Sequence, residues 1–195
     1  MKTVDYNIFP MDQMHYGWLA GINYESAADG PGIRTAIFLS GCTHECNGCH
    51  NPETWNFHYG KPIDESMIRQ IASEIKRRPY LSGITLTGGD PLCYPLYSLN
   101  FLVTLKKHLG QMPNIWLYTG YKIEQLGLED HGRIDLDVMR LISLCDVVVD
   151  GPFVKEKADK RLEFRGSTNQ RIIPTEHIRF AQPDGTARGI KYPCP

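Results

Sequence analysis

Four short apolar runs constrain the fold of this chain more than any other feature: Ala36-Ile37-Phe38-Leu39, Ile84-Thr85-Leu86-Thr87, Ile115-Trp116-Leu117-Tyr118 and Val147-Val148-Val149. Each run is continuous rather than alternating, the pattern of a strand covered on both faces. Segments with helical spacing separate them. Met67, Ile68, Ile71, Ala72 and Ile75 share one face of a helix that Asp64 is placed to cap and Pro79 to stop. Leu96, Leu99, Leu102, Val103 and Leu109 recur at the same spacing ahead of Gly110, a C-cap residue. Val138, Leu141 and Ile142 mark a third helix. Strand and helix in alternation predict an α/β fold built on a mostly parallel sheet. Residues 1–30 carry few strong signals, and the chain turns charged and irregular after Asp150.

At 195 residues the chain is read as a single domain over 1–195. Its core is expected at about 18–175, with an N-terminal extension over 1–17 and a C-terminal tail over 176–195. Net charge is −1, so no basic surface argues for nucleic acid. The one basic run, Lys76-Arg77-Arg78, falls at a helix end and reads as solvated. The first residues include Asp5 and Asp12 and lack the apolar core of a signal peptide. No stretch approaches the ~20 apolar residues that span a bilayer. A cytoplasmic location is expected, where thiols stay reduced. The six cysteines then argue for metal binding or catalysis rather than disulfides.

In α/β folds, ligands collect at the C-terminal ends of the strands. The loop "SGCTHECNGCHNPETW" follows the first run, "TGGDP" the second, "TGY" the third and "DGPF" the fourth, so one edge gathers the unusual residues. Cys42-x3-Cys46-x2-Cys49 has the local spacing of a metal loop, and thiolates suit zinc or iron–sulfur clusters. A structural zinc site wants four ligands, which His44 or His50 would complete. A [4Fe–4S] cluster takes one thiolate per iron, so three thiolates leave one iron open for a ligand. Unliganded redox thiols are the third reading. Cys145 reads as a small buried hydrophobe, Cys93 as a remote candidate ligand and Cys194 as a tail thiol. Gly88-Gly89 reads as a plain turn after a strand, or as a place where a ligand approaches bare backbone with Asp90 available to accept from a cationic amine.

The cysteine spacing followed one βα unit later by Gly88-Gly89-Asp90 resembles the radical S-adenosylmethionine superfamily. "DGPGIRTAIFLSGCTHECNGCHNPETW" is similar to its glycyl-radical-enzyme activases. "LTGGDPL", "WLYTGY", "DVVVDGPF" and "RGSTNQRI" narrow the resemblance to the activases of anaerobic (class III) ribonucleoside-triphosphate reductases, over roughly residues 24–173. The resemblance implies a partial, open βα barrel of the radical S-adenosylmethionine type. It implies a [4Fe–4S] cluster on Cys42, Cys46 and Cys49, with S-adenosylmethionine chelating the open iron. Reductive cleavage would yield a 5′-deoxyadenosyl radical that takes hydrogen from a glycine of the partner reductase. A flavodoxin-like protein would supply the electron.

Carried over position by position, Gly88, Gly89 and Asp90 would bind the methionine end of the cofactor. Gly48 and His50, beside Cys49, would lie near the adenine. Asp150 would contact ribose or methionine, or else cap the next turn. Asp29, Gly30, Gly32 and Arg34 would shape the entry of the partner glycine, or form a plain turn. Arg165, Gly166, Ser167 and Asn169 would touch partner or cofactor, and Trp55 and Tyr59 would pack as ordinary loop residues or else shield the cluster. One departure stands out: many superfamily members have an aromatic residue just before the third cysteine, and here it is Gly48. No Arg-Val-x-Gly-Tyr stretch occurs, so the target glycine belongs to another protein. Two alternatives stand beside this reading. One is a small-molecule radical enzyme of the deazaguanine-forming type, disfavoured by His50-Asn51-Pro52 after the third cysteine. The other is a non-enzymatic Cys3His zinc module.

Overall fold

The structure, a computed structural model, describes residues 15–126 and 135–178. The expected extension and tail, and Cys194, therefore lie largely outside the described residues. The elements run β1 (Trp18–Ser26), β2 (Arg34–Leu39), β3 (Lys61–Pro62), α1 (Glu65–Lys76), β4 (Gly83–Gly88), α2 (Pro95–Leu109), β5 (Asn114–Tyr118), α3 (Leu136–Ser143), β6 (Val147–Asp150) and β7 (Arg171–Pro174). Together the strands form one seven-stranded sheet in the order β3-β1-β2-β4-β5-β6-β7.

The four apolar runs became β2, β4, β5 and β6, which pair in parallel and occupy the centre. The flanks are antiparallel: β1 pairs with β2 and β3, and β7 pairs with β6. The sheet is thus mixed, with the expected parallel arrangement confined to its middle. β1 arises in the stretch with few sequence signals. Most of its residues are half-buried, and its register with β2 shifts twice, so no continuous apolar run marks it.

Helix boundaries follow the capping chemistry. The Asp64 carboxylate accepts from the Met67 N–H at 2.7 Å and starts α1. Gly110, with φ of 83°, ends α2 by donating its N–H to the Lys106 carbonyl. Asp135 caps α3 through the Asp137 and Val138 N–H groups. Past α1, Arg77 and Arg78 both pair with Glu74, as a solvated helix end does.

All three helices contribute to one hydrophobic core with one face of the sheet. Ile37, Ile84, Leu86, Leu117 and Val148 meet Ile68, Ile71, Leu102, Leu105 and Leu141 there. The other face is covered differently. Arg34, only 1% exposed, donates from that face to the Ile84 carbonyl, the Asn114 carbonyl and Thr85 Oγ1, pinning the starts of β2, β4 and β5 together. Its guanidinium sits 5.5 Å from the Trp116 ring centre. Burial lowers its pKa from the ordinary arginine value. The Trp116 ring in turn packs edge-on against Phe164, and the Tyr118 hydroxyl donates to the Phe164 carbonyl at 2.7 Å. The segment after β6 therefore folds back over this face and roofs it.

Candidate metal centre

The cysteine loop begins where β2 ends. Gly41, with φ of 108°, donates its N–H to the Thr54 carbonyl, and Cys42 donates to the Trp55 carbonyl. A side chain at position 41 would strike the Phe57 ring at 2.2 Å, so glycine is required there. A short 3₁₀ turn, Pro52–Trp55, closes the other end of the loop. Between these clamps Glu45 and Gly48 take left-handed backbone angles, and the Cys49 N–H donates to the Cys46 carbonyl. The loop thus bends tightly enough to bring all three thiols to one cleft of about 380 Å³. Each cysteine is half-buried. The Asn51 N–H donates toward Cys49 Sγ at 3.4 Å, the kind of contact that steadies a ligating sulfur.

The cleft opens along the C-terminal edge of the parallel strands. Gly88 and Gly89 behind β4, Gly120 behind β5 and Gly151 behind β6 all line it. Gly88 and Gly89 are needed because the cysteine loop passes so close. A Cβ at Gly88 would lie 2.6 Å from the Leu39 carbonyl oxygen, and one at Gly89 would lie 2.5 Å from that of Gly41. The Gly89 and Asp90 N–H groups donate to the same two carbonyls. The double glycine therefore serves chain packing between β2 and β4 as well as lining the cleft.

Asp90 is 4% exposed and holds four donors. Oδ1 accepts from the Leu92 N–H, while Oδ2 accepts from the Gly120 N–H, Thr119 Oγ1 and His44 Nε2. It ties the cysteine loop, the β4 turn and the β5 turn into one unit. The bond to Asp90 raises the His44 pKa against the opposing effect of burial. Asp150 is fully buried and does not line the cleft. Its carboxylate accepts from the Ile123 N–H, capping the turn after β5, and forms a two-point ion pair with Arg171. That is the capping role the sequence left open beside cofactor contact.

The remaining candidates divide. Trp55, Asp29, Arg165 and Gly166 line the cleft, whereas Tyr59 is exposed outside it. Arg34 is committed to the strand starts described above. Ser167 is buried, its hydroxyl accepting from the Val154 N–H, and the Asn169 amide donates to the Pro152 carbonyl. Both shape the roof loop. His50 is exposed on the cleft wall, 5.6 Å from the Phe153 ring. A Cβ at Gly48 would lie 3.4 Å from that same ring. Phe153 thus brings an aromatic face beside the third cysteine from the loop after β6. No local pattern around Cys49 signals it.

A family model described as a 4Fe-4S single cluster domain matches residues 28–173. The anaerobic ribonucleoside-triphosphate reductase-activating protein of Pasteurella multocida is 40% identical over 157 residues, covering 79% of this chain and 92% of that protein. The protein of the same name in Escherichia coli K12 is 37% identical over 154 residues, covering 77% and 92%. Its namesake in enterobacteria phage T4 is 38% identical over 146 residues, covering 74% and 85%. The chain belongs to this family of anaerobic ribonucleoside-triphosphate reductase-activating proteins.

The thiols present fit the cluster that the family model describes. Cys42, Cys46 and Cys49 are soft donors on one clamped loop, each reachable from one cleft. Burial pushes the Cys46 thiol pKa up. Cys42 Sγ also lies within 4.8 Å of Cys93 Sγ. This raises the Cys42 pKa and lowers that of Cys93 to about 6. Cys145, by contrast, is 4% exposed and donates to the Leu141 carbonyl, as a buried small hydrophobe. Among the described residues no helix is long and apolar enough to cross a membrane.

Proposed function

We propose that this chain activates an anaerobic ribonucleoside-triphosphate reductase by generating a glycyl radical on it, using S-adenosylmethionine and a [4Fe–4S] cluster. The observation that carries the reading is the convergence of Cys42, Cys46 and Cys49 on one cleft beside the Gly88-Gly89 turn, in a chain of this family. Cys42, Cys46 and Cys49 would hold the cluster, three ligands leaving one iron open. When bound, such a cluster supplies the single electron for reductive cleavage of S-adenosylmethionine.

The chain's own residues do the positioning. The backbone of Gly88 and Gly89 would receive the methionine end, and Asp90 fixes that turn against His44 and Thr119 without offering a free oxygen. Gly48, Cys49 and His50 would border the adenine, with Phe153 as its aromatic wall. Asp150 acts through Arg171 and the Ile123 turn. The roof segment around Phe164 and Gly166 lines the cleft and would limit water at the reacting atoms. Three helices on one face of a central parallel sheet support a partial βα barrel of the superfamily type. The protein would form one domain in the cytoplasm, with a flavodoxin-like electron donor.

Electron paramagnetic resonance on the anaerobically reconstituted, reduced protein tests this. A reduced-cluster signal that shifts on adding S-adenosylmethionine is expected. A cluster signal indifferent to it would remove the open iron, and a reconstituted protein that holds no iron would overturn the reading.

A further inference from the structure

The tightest group of metal-binding atoms in the described residues is not the cysteine triad. It is Cys42, His44 and Cys93, whose donor atoms all lie within 4.8 Å of one another. Cys46 and Cys49 stand outside this group. Tetrahedral ligands at about 2.0–2.3 Å from zinc lie roughly 3.3–3.8 Å apart. Donors already within 4.8 Å need only side-chain adjustment to reach that spacing.

The surroundings are those of a supported site. A carboxylate bonded to one ring nitrogen is the usual backing of a histidine that ligates through the other. His44 Nε2 is bonded to Asp90 Oδ2 at 2.7 Å, which leaves Nδ1 as the ring nitrogen open to a metal. The ring is held further by edge-on contact with Tyr121, centroids 4.4 Å apart. Thr43 Oγ1 and the Tyr121 hydroxyl lie 3.6 and 3.9 Å from Cys93 Sγ, placed to donate to a thiolate there. Two sulfurs and one imidazole suit zinc and leave a fourth position for water.

We propose that Cys42, His44 and Cys93 form a second cation site, which takes a soft divalent ion such as zinc when Cys42 is not committed to a cluster. The two sites share Cys42, so they exclude each other. This exclusion rests on the cluster reading above, while the cation site itself does not. Zinc held there keeps Cys42 from iron, and loss of the zinc frees the first thiol of the triad for cluster assembly.

The test uses full-length, cluster-free protein under anaerobic conditions, titrated with Co(II) alone as a coloured stand-in for zinc. One equivalent should bind with sulfur-to-cobalt charge-transfer absorption. Cys93→Ser should weaken binding on the order of 100-fold, because even the outer partners of a ligand are worth roughly 10–100-fold. Cys46→Ser and Cys49→Ser should bind Co(II) as the unmodified chain does. Loss of binding in Cys46→Ser with none in Cys93→Ser would overturn the site, as would no charge-transfer band at all. X-ray absorption on the zinc-loaded, unmodified protein reads the donors without any substitution: two sulfurs are expected, and three overturn the proposal. Iron–sulfur reconstitution in the same variants reports separately on the triad. It should fail in Cys46→Ser and succeed in Cys93→Ser, and prior zinc should slow it only where Cys93 is present.

Discussion

His44 Nε2 stands 2.7 Å from Asp90 Oδ2, joining the cysteine loop behind β2 to the glycine turn behind β4. The same oxygen accepts from Thr119 and Gly120 behind β5. One buried carboxylate thus sets the relative positions of three strand ends, and the cleft exists between them.

Asp90→Ala would strand those donors together with the Leu92 N–H. A buried group left without its partner costs about 1–3 kcal/mol, and the effects are not additive. We expect a loss of about 3–5 kcal/mol in the urea unfolding of cluster-free protein, with Asp90→Asn less affected. An unchanged midpoint in Asp90→Ala would mean the network is not what holds the strand ends.

Gly89→Ala places a methyl 2.5 Å from the Gly41 carbonyl oxygen, a backbone atom that cannot swing aside. The β4 turn and the cysteine loop must separate. Overpacking of this kind costs about 1–3 kcal/mol, and the displaced loop should take up less iron on reconstitution. Thermal unfolding and iron content check the two effects. A variant with full iron and unchanged melting would show that the close approach relaxes freely.

The fold was legible where burial leaves a continuous signature. Ile37, Ile84, Leu117 and Val148 lie in strands covered on both faces, and their runs stand out in any reading of the chain. β1 was not legible, because Trp18–Ser26 is mostly half-buried and its register is broken. β7 is a four-residue edge strand ending in Pro174, too short to leave a pattern. At the site, local spacing exposed the cysteine triad. The partners of Asp90 were hidden because His44 and Thr119 lie 46 and 29 positions away in sequence. Phe153 was hidden for the same reason: its place beside Gly48 depends on how the β6 loop folds back.

Arg171 bridges buried Asp150 and exposed Glu124, making two bonds of 2.8 Å to the latter. It holds the Glu124 carboxyl below the usual carboxylate range. A carboxyl with a lowered folded pKa adds stability that is present above its unfolded pKa and lost as pH falls through the folded value. Between about pH 6 and pH 3 the unmodified chain should therefore lose more stability than Glu124→Gln does. Urea midpoints across that window measure it. Because Glu124 is largely exposed, the difference should be small and shrink with added salt. Parallel curves for the two proteins would show that the pair contributes nothing.

Cys46→Ala removes a half-buried side chain at the sheet edge, away from the hydrophobic core. Nothing in the packing of β2, β4 and β5 depends on it, so the urea midpoint of cluster-free protein should stay within about 0.5 kcal/mol of the unmodified chain. Iron uptake and S-adenosylmethionine cleavage should both be lost.

Tyr118→Phe removes the hydroxyl that donates to the Phe164 carbonyl from the middle of the cleft face. Burial pushes the Tyr118 pKa up, so the donor keeps its proton across the whole working range. The aromatic ring remains in the variant, and the Trp116–Phe164 contact still holds the roof segment near the sheet. Global stability should fall by only about 1 kcal/mol, the net value of a typical hydrogen bond. The local effect should be larger in proportion. Amides around Phe164 and Gly166 should exchange with deuterium faster, while those of β4 and β5 stay protected. If the roof also limits water at the reacting atoms, cleavage of S-adenosylmethionine should become less tightly coupled to activation of the reductase. Unchanged exchange around Phe164 would mean that the Trp116 contact alone fixes the roof, and Tyr118 would then be only part of the cleft wall.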